Sequence, residues 1–238
     1  MTLVGSIEKD IKAKSSKARA LLCLRFFKTG KGQYGEGDIF MGVTVPDVRL
    51  IFKNYKDQIT IEDCEILLKH KFHEPRLFGL FGLIYLYQKE KYPKKKIFDL
   101  CVKNVGFNKG INNWDLIDTS ADKIVGDYLY NEISKKEKSE FIKKHVNSPD
   151  LWVRRMVVIA SFYDIRKGDS KMTLSVCKTL LNDNHDLIHK ATGWMLREVG
   201  KRVSELDLVK FLNENKPKMA KVSYRYAIER LNKNSLTH

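Results

Sequence analysis

Cysteine is scarce in this 238-residue sequence, and none of its cysteines shows the spacing of a zinc site or a redox pair. The four lie far apart, with mostly apolar neighbours: Cys23, Cys64, Cys101 and Cys177. This pattern favours reduced thiols over a disulfide framework. We therefore expect core thiols in a cytoplasmic protein.

Long hydrophobic runs are also missing. No window approaches the ~18 apolar residues of a membrane-spanning helix, and residues 1–22 have no apolar core behind a basic start, as an export signal would. The sequence thus predicts a soluble protein that is neither exported nor membrane-bound.

Acidic residues are outnumbered, since 29 Asp and Glu face 44 Lys and Arg and leave a net charge of +15. Basic residues occur in every quarter of the chain, so the positive potential belongs to the folded body. A polyanion is the expected partner. A basic protein without a nucleic-acid role is the alternative, because net charge does not name a partner.

Alternation with a period of two, typical of a half-buried strand, is absent, whereas apolar residues recur at helical spacing after residue 46. Breaks such as HKFHEP, NKGINN and VNSPD separate short helices. These patterns predict an all-α protein of stacked helical hairpins. The second helices of the hairpins should start, at intervals of 39, 36, 35 and 32 residues, near Glu74, Asn113, Pro149, Asn184 and Lys216.

This period is close to that of HEAT-type helical pairs. Such pairs stack into a right-handed α-solenoid in which one helix of each pair lines a concave face, here a basic groove. We expect a single domain over residues 1–238. Residues 1–45 should form an N-terminal helical region with a glycine-rich loop, and residues 46–238 the stacked helical pairs.

Three of these helices begin with related segments, WDLID, PDLWV and HDLIH. We expect Asp115, Asp150 and Asp186 at equivalent first-turn positions, where a carboxylate complements the helix dipole and helps cap free amides. For the second of these helices, Ser148 is the expected N-cap and Pro149 the first helical residue.

Two motifs resemble ligand sites but lack the required context. GKGQYG follows a helical segment rather than a strand, so we interpret it as a surface loop that helps contact a phosphate backbone. The pairs His70/His73 and His185/His189 lack a zincin glutamate and a third ligand, which favours surface histidines. We expect no metal and no cofactor.

On the helix beginning at Asn113, Trp114 lies within the apolar stripe and Asp118 lies ~40° from it on a helical wheel. Asp118 should thus be partly desolvated beside an aromatic ring, whereas Asp115 and Asp122 lie toward the polar side, where Asp122 should be solvated. A buried carboxylate usually has a structural partner or a chemical task, and both remain open for Asp118.

Two later helices add basic and aromatic residues. Arg155 lies in an apolar sector and could reach a phosphate or a carboxylate, with a buried ion pair to Asp118 as the alternative. Trp194 lies at the margin of its apolar face beside Lys190, Arg197 and Lys201. A basic strip with an aromatic suits nucleic-acid contact, and a tryptophan at the core edge is the alternative.

Trp114, Asp118, Arg155 and Trp194 all fall on second helices of consecutive repeats, so one concave groove could present all four. Four segments, NNWDLIDTSAD, LWVRRMVV, ATGWMLREVGKR and MGVTVPDVR, together resemble the AlkD-type DNA alkylation repair proteins over nearly the whole chain. That family is built of HEAT-like repeats and includes DNA glycosylases that remove cationic N3- and N7-alkylated purines.

The resemblance implies roles for individual residues. Trp114 and Trp194 match aromatic residues that pack around the sugar of the damaged nucleotide, Asp118 matches the catalytic carboxylate, and Arg155 matches an arginine beside the lesion backbone. Further contacts with double-stranded DNA are expected from Arg154, Lys190, Arg197, Lys201, Thr44 and Phe26. The last two replace a glutamine and a tyrosine of the family, and Asn113 replaces the first of its paired tryptophans.

A cationic purine is already a good leaving group, so the enzyme must stabilise the positive charge that develops on the deoxyribose. An ionised Asp118 would do this electrostatically and could orient the attacking water. The expected protein is a monomeric, monofunctional DNA-alkylpurine glycosylase. The alternatives are a non-catalytic binder of duplex or branched DNA and a protein-interaction scaffold.

Overall fold

The computed structural model describes residues 2–231, and helices account for most of them. Within that range the extended backbone is limited to two isolated bridges, Ile39 with Phe72 and Val105 with Ile111, and no strand forms. The predicted all-α class is therefore confirmed. None of the helices in this range is long and apolar enough to cross a membrane.

The chain divides into two compact units that meet in sequence between Ser120 and Ala121. The first unit contains α1 (Leu3–Ala13), α2 (Lys17–Phe26), α3 (Val45–Tyr55), α4 (Ile61–Leu68), α5 (His73–Gln88), α6 (Lys94–Lys103) and α7 (Trp114–Ser120).

The second unit begins with a π-helical turn, Ala121–Gly126. It continues with α8 (Asp127–Asn131), α9 (Lys135–Val146), α10 (Leu151–Ala160), α11 (Phe162–Arg166), α12 (Lys171–Thr179), α13 (Asp186–Arg202), α14 (Glu205–Asn215), a 3₁₀ turn (Lys216–Lys218) and α15 (Lys221–Ala227).

Helix α5 is the centre of the first unit and is buried on nearly all sides. Two glycines allow α4 to approach it closely, because a Cβ on Gly82 would lie 2.5 Å from Cys64 Sγ and one on Gly79 would lie 3.0 Å from Leu67 Cβ. Close packing of this kind leaves no space for larger side chains. His73, the N-terminal residue of α5, is buried as well.

Helices α10 and α13 form the centre of the second unit, and α15 packs against α13. Trp152 on α10 is completely buried. On α13, a Cβ at Gly193 would lie 2.5 Å from the carbonyl oxygen of Ser223, so glycine is required where α15 crosses. The packed face of α13 leaves Trp194 half-buried at its edge.

Four of the five predicted helix starts are confirmed to within two residues, at α5, α7, α10 and α13. The fifth is wrong by five residues, since α15 starts at Lys221 rather than at Lys216. The predicted start at Lys216 is instead the first residue of a 3₁₀ turn, Lys216–Lys218, whose second residue is a proline. This turn ends before α15 begins. The predicted end of the last hairpin, residues 232–238, lies outside the described residues.

The three repeated aspartates do not occupy equivalent positions. Asp150 is the N-cap of α10 and accepts a hydrogen bond from the Trp152 amide at 2.8 Å, so the predicted Ser148 cap is wrong. Asp186 is the first residue of α13, whose N-cap is His185. Asp115 is the second residue of α7, and its carboxylate turns to another helix, as described below.

Three of the four cysteines are buried free thiols, as expected: Cys64, Cys101 and Cys177. Burial raises the pKa of Cys101 to about 12, which keeps this thiol protonated at neutral pH. Cys23 departs from the prediction, because it is only half-buried on α2, a helix without a single buried residue.

Candidate functional site

Trp114 begins α7 and belongs to a cluster of rings on the first unit. Its indole stacks on Phe27 with 5.3 Å between ring centroids and 20° between the planes. Phe26 meets the same indole edge-on at 5.7 Å, and this phenylalanine is 65% exposed at the end of α2. Trp114 and Phe26, both predicted from the resemblance to contact DNA, are thus neighbours on one aromatic surface.

The ring cluster continues inward as a column. Phe27 stacks on Phe40 at 4.8 Å, and Phe40 stacks on the imidazole of His73 at 4.5 Å. Offset stacking of this kind adds to the burial of apolar area. A half-buried tryptophan is therefore connected through ring contacts to a histidine in the interior.

His73 lies between two carboxylates and is only 2% exposed, so the predicted surface position is wrong. Its Nδ1 lies 2.8 Å from Asp38 Oδ2, and its Nε2 lies 2.7 Å from Asp115 Oδ2. Burial alone would lower the pKa of His73, but Asp115 and Asp38 raise it to about 9. At neutral pH the ring is an imidazolium that donates at both nitrogens.

Asp38 joins this histidine to the start of α7. Its carboxylate also forms an ion pair with Arg76 and accepts a hydrogen bond from Asn113 Nδ2 at 3.1 Å. Burial opposes the charged form, yet His73, Arg76 and Asn113 keep the pKa of Asp38 below its ordinary value. Arg76 in turn donates to Asn112 Oδ1 at 2.8 Å. Asn113, which departs from the family pattern, thus has a structural role.

Asp118 lies on α7 one turn after Trp114 and is half-buried, in agreement with the helical wheel.

Asp122 is different, because it is only 4% exposed and forms ion pairs with Lys123 at 3.0 Å and Arg166 at 3.2 Å. The prediction that Asp122 is solvated is therefore wrong. It lies in the π-helical turn Ala121–Gly126, where the angular step of an ideal α-helix no longer applies.

Thr44, predicted to contact DNA, is the N-cap of α3. Its hydroxyl accepts a hydrogen bond from the Asp47 amide at 3.1 Å and donates to the Asp47 carboxylate. These bonds account for threonine at the start of this helix. The contact with DNA stays a prediction.

Arg155 and Arg154 both bind other residues of the second unit. Arg155 is 5% exposed, and its Nη1 donates to the carbonyl oxygen of Leu187 at 2.7 Å. Arg154 pairs through Nε with Asp183 Oδ2 at 2.6 Å and donates to the carbonyl oxygens of Ser148 and Pro149. Arg154 therefore joins two loops, and its contact with DNA stays a prediction.

The basic strip on α13 also forms ion pairs. Lys190 lies 2.6 Å from Asp186, and Arg197 pairs with Glu198 at 3.1 Å and with Glu229. Lys201 is exposed at the end of the helix. Trp194 lies near Phe162, with 6.3 Å between the ring centroids. Trp194, Arg155 and the strip belong to the second unit, whereas Trp114, Asp118, Phe26 and Thr44 belong to the first.

Sequence reasoning missed two basic clefts on the first unit. One, of about 770 Å³, is lined by Lys69, Lys71, Lys103 and Lys109, with Glu36 as the only acid. The other, of about 630 Å³, adjoins it through His70 and Lys71 and is lined by Lys9, Lys12 and Lys17, with Glu8 as the only acid. These lysines come from separate loops and helices, so no local motif reveals them.

Metal chemistry has no ligand set in the described part of the chain. Residues 2–231 contain no cluster of three or more His, Cys, Asp or Glu side chains that could hold a metal ion. The histidine pairs have other partners: His185 caps α13 through Nδ1, which accepts from the Leu187 amide at 3.1 Å, and His189 bonds the carbonyl oxygen of Asp183.

Two solved structures share this helical-repeat fold. A DNA alkylation repair enzyme predicted in Enterococcus faecalis superposes with a TM-score of 0.72 at 14% identity, over 92% of this chain and 98% of its own. AlkD2 from Streptococcus mutans superposes with a TM-score of 0.57 at 18% identity, over 96% of this chain and 97% of its own. A search of the curated proteins found no match.

The sequence itself matches the family model for DNA alkylation repair enzymes over residues 7–231. This range includes all four segments that carry the resemblance, and it leaves out only the two ends of the chain. The chain therefore belongs to the DNA alkylation repair enzyme family.

Proposed function

We propose that the protein is a monofunctional DNA glycosylase that hydrolyses the N-glycosidic bond of cationic N3- and N7-alkylated purines in duplex DNA. The observation that carries this proposal is the position of Asp118, half-buried one helical turn from the Trp114 indole in a chain of net charge +15. Family membership supports a repair role, and the position of this carboxylate supports the proposed chemistry.

Asp118 is the proposed catalytic carboxylate. Loss of a cationic purine leaves an oxocarbenium-like sugar, and an ionised carboxylate beside it stabilises the charge as it forms. Partial burial strengthens this interaction, because the local dielectric constant is below that of water. The purine leaves as a neutral base, so no general acid is required.

The aromatic surface of Trp114 and Phe26 is the proposed contact for the deoxyribose. Its rings offer an apolar wall at the start of the helix that carries Asp118, and Phe27 stacks on the Trp114 indole. A sugar packed on this wall would be shielded from water on one side. The resemblance also suggests DNA contacts for Trp194 and Arg155, which belong to the second unit.

The two basic clefts support binding of the DNA backbone. Lys71, Lys103 and Lys109 line them without an ion pair to any residue in 2–231, in contrast to Lys190 and Arg197 on α13. Phosphates release bound counterions when lysines neutralise them, so lysines that are not held in an ion pair are suited to this role.

Base release from alkylated duplex DNA tests the assignment. Under single-turnover conditions, Asp118→Asn should release 7-methylguanine about 10²- to 10³-fold more slowly than wild type, as when one electrostatic stabiliser is lost. DNA affinity should be equal or higher, since a negative charge has been removed. Asp99→Asn, which alters an exposed carboxylate on α6, is the matched control. Equal release by wild type and Asp118→Asn would refute the mechanism.

A second candidate is a non-catalytic DNA-binding protein. Two positions that depart from the family pattern make structural hydrogen bonds instead, since Thr44 caps α3 and Asn113 binds Asp38. Salt-dependent binding of undamaged duplex, together with no base release from any alkylated substrate, would favour this alternative over the glycosylase.

A further inference from the structure

Three separate segments of the first unit meet at His73. Asp38 follows the glycine-rich loop, His73 is the first residue of α5, and Asp115 is the second residue of α7. The imidazole joins the two carboxylates at 2.8 and 2.7 Å. The start of α7, which carries Trp114 and leads to Asp118, is therefore attached to the interior through one ring.

The charges around this ring balance only when it is protonated. Asp38 and Asp115 supply two negative charges, and the Arg76 guanidinium beside Asp38 supplies one positive charge. The second oxygen of Asp115 is buried and accepts no hydrogen bond from residues 2–231. His73 is thus the one cation in contact with Asp115 in that part of the chain.

The other titratable groups nearby do not replace this cation. Glu74, next to His73 on α5, is satisfied by the amides of Met41, Gly42 and Val43 at 2.9, 2.7 and 3.1 Å. Burial raises the pKa of the Cys23 thiol on α2, and the charges of Glu74 and Asp115 raise it further against the opposing charge of Arg19, so this thiol is uncharged at neutral pH. Neither group is a cation, so neither replaces His73 beside Asp115.

Stacked rings connect His73 with Trp114 on the aromatic surface. Phe27 lies 5.3 Å from His73 and 5.3 Å from Trp114, so a change at the imidazole is one ring away from the indole. The covalent route is equally short, because Asp115 is the residue after Trp114. Two independent paths therefore connect His73 with Trp114.

We propose that His73 is a positioning residue of the repair site, which as an imidazolium between Asp38 and Asp115 holds the first turn of α7 and the Trp114 ring in their working orientation. This inference rests on the proposed function. His73 does not itself touch DNA, because it is buried behind Phe27 and Phe40. Its effect on the reaction passes through Trp114 and Asp118.

Fluorine NMR of protein labelled with 5-fluorotryptophan tests the coupling directly. The chain has three tryptophans, so each resonance can be assigned with a single Trp→Phe variant. We expect the Trp114 resonance to titrate with a midpoint near pH 9, the pKa of His73, while the Trp152 and Trp194 resonances show no such step. Lack of a Trp114 step between pH 7 and 10 would overturn the proposal.

Asp115→Asn is the decisive variant, because it keeps the shape of the side chain and removes one carboxylate from His73. The Trp114 midpoint should fall by about one pH unit or more, because an adjacent opposite charge shifts a pKa by roughly 1 to 3 units. An unchanged midpoint would overturn the proposal. His73→Gln should abolish the step if the variant folds. His145→Gln, which changes a half-buried histidine on α9, should leave the midpoint unaltered.

Initial rates of 7-methylguanine release then separate positioning from a merely structural role. The rate should decline with the same midpoint as the Trp114 resonance, and Asp115→Asn should shift both together. If the fluorine resonance titrates but the rate of base release stays constant over the same pH range, the positioning role is overturned. If wild type releases no base at any pH, the proposed function fails, and the fluorine titration alone decides whether His73 controls Trp114.

Discussion

Deprotonation of His73 should lower the free energy of unfolding by about 3 kcal/mol between pH 6 and pH 10. The pKa of this histidine is about 9 in the folded protein, against 6.5 for an unperturbed side chain. Each unit of difference corresponds to about 1.4 kcal/mol, so ~2.5 units give about 3 kcal/mol.

The direction follows from the raised pKa. Because the folded protein binds the proton more tightly than the unfolded chain, the stabilisation is complete below pH 6.5 and is lost as the pH rises through about 9. Most acid-sensitive contributions from carboxylates act in the opposite direction and at lower pH, so this loss should be separable from them.

Urea unfolding at half-unit steps from pH 6 to pH 10 measures the effect. Tyrosines, lysines and cysteines also titrate in this range, so the test is the difference between proteins. Wild type should lose more stability than Asp115→Asn, whereas His145→Gln should follow wild type. His73→Gln should be less stable by about 3 to 5 kcal/mol already at pH 7, because it leaves buried carboxylates without their cation. Equal pH slopes for wild type and Asp115→Asn would refute the reasoning.

Two further predictions concern other parts of the chain. Replacing Lys71, Lys103 and Lys109 together by glutamine should reduce the salt dependence of duplex binding by about three units of slope, roughly one per phosphate contact, measured by fluorescence anisotropy. The same change at the exposed Lys135, Lys136 and Lys143 of α9 is the control, and an equal effect there would contradict a specific role for the clefts. Gly42→Ala should cost about 1 to 3 kcal/mol more than Gly32→Ala, because both glycines have positive φ but only at Gly42 would the new Cβ lie 2.2 Å from a backbone oxygen, that of Ser16. Equal midpoints of urea unfolding for the two variants would contradict this.

The sequence by itself determined the features that depend on one helix at a time. Apolar spacing predicted the all-α class and four of the five second-helix starts, and it placed Trp114 and Asp118 on neighbouring positions of one face. The helical wheel works for such pairs because side chains one turn apart share a face whatever the rest of the fold does. The motif segments were likewise sufficient to indicate the family.

Only the tertiary structure decided which charges meet. His73 looked like a surface histidine and Asp115 like a helix cap, yet they lie 2.7 Å apart across 42 residues of chain. The sequence pattern predicted a solvated Asp122, but this residue lies in a π-helical turn and forms an ion pair with Arg166. A helical pattern specifies only that a residue is on a given side of its own helix. The partner across the interface depends on how helices pack, and for this buried histidine the partners also determine its charge.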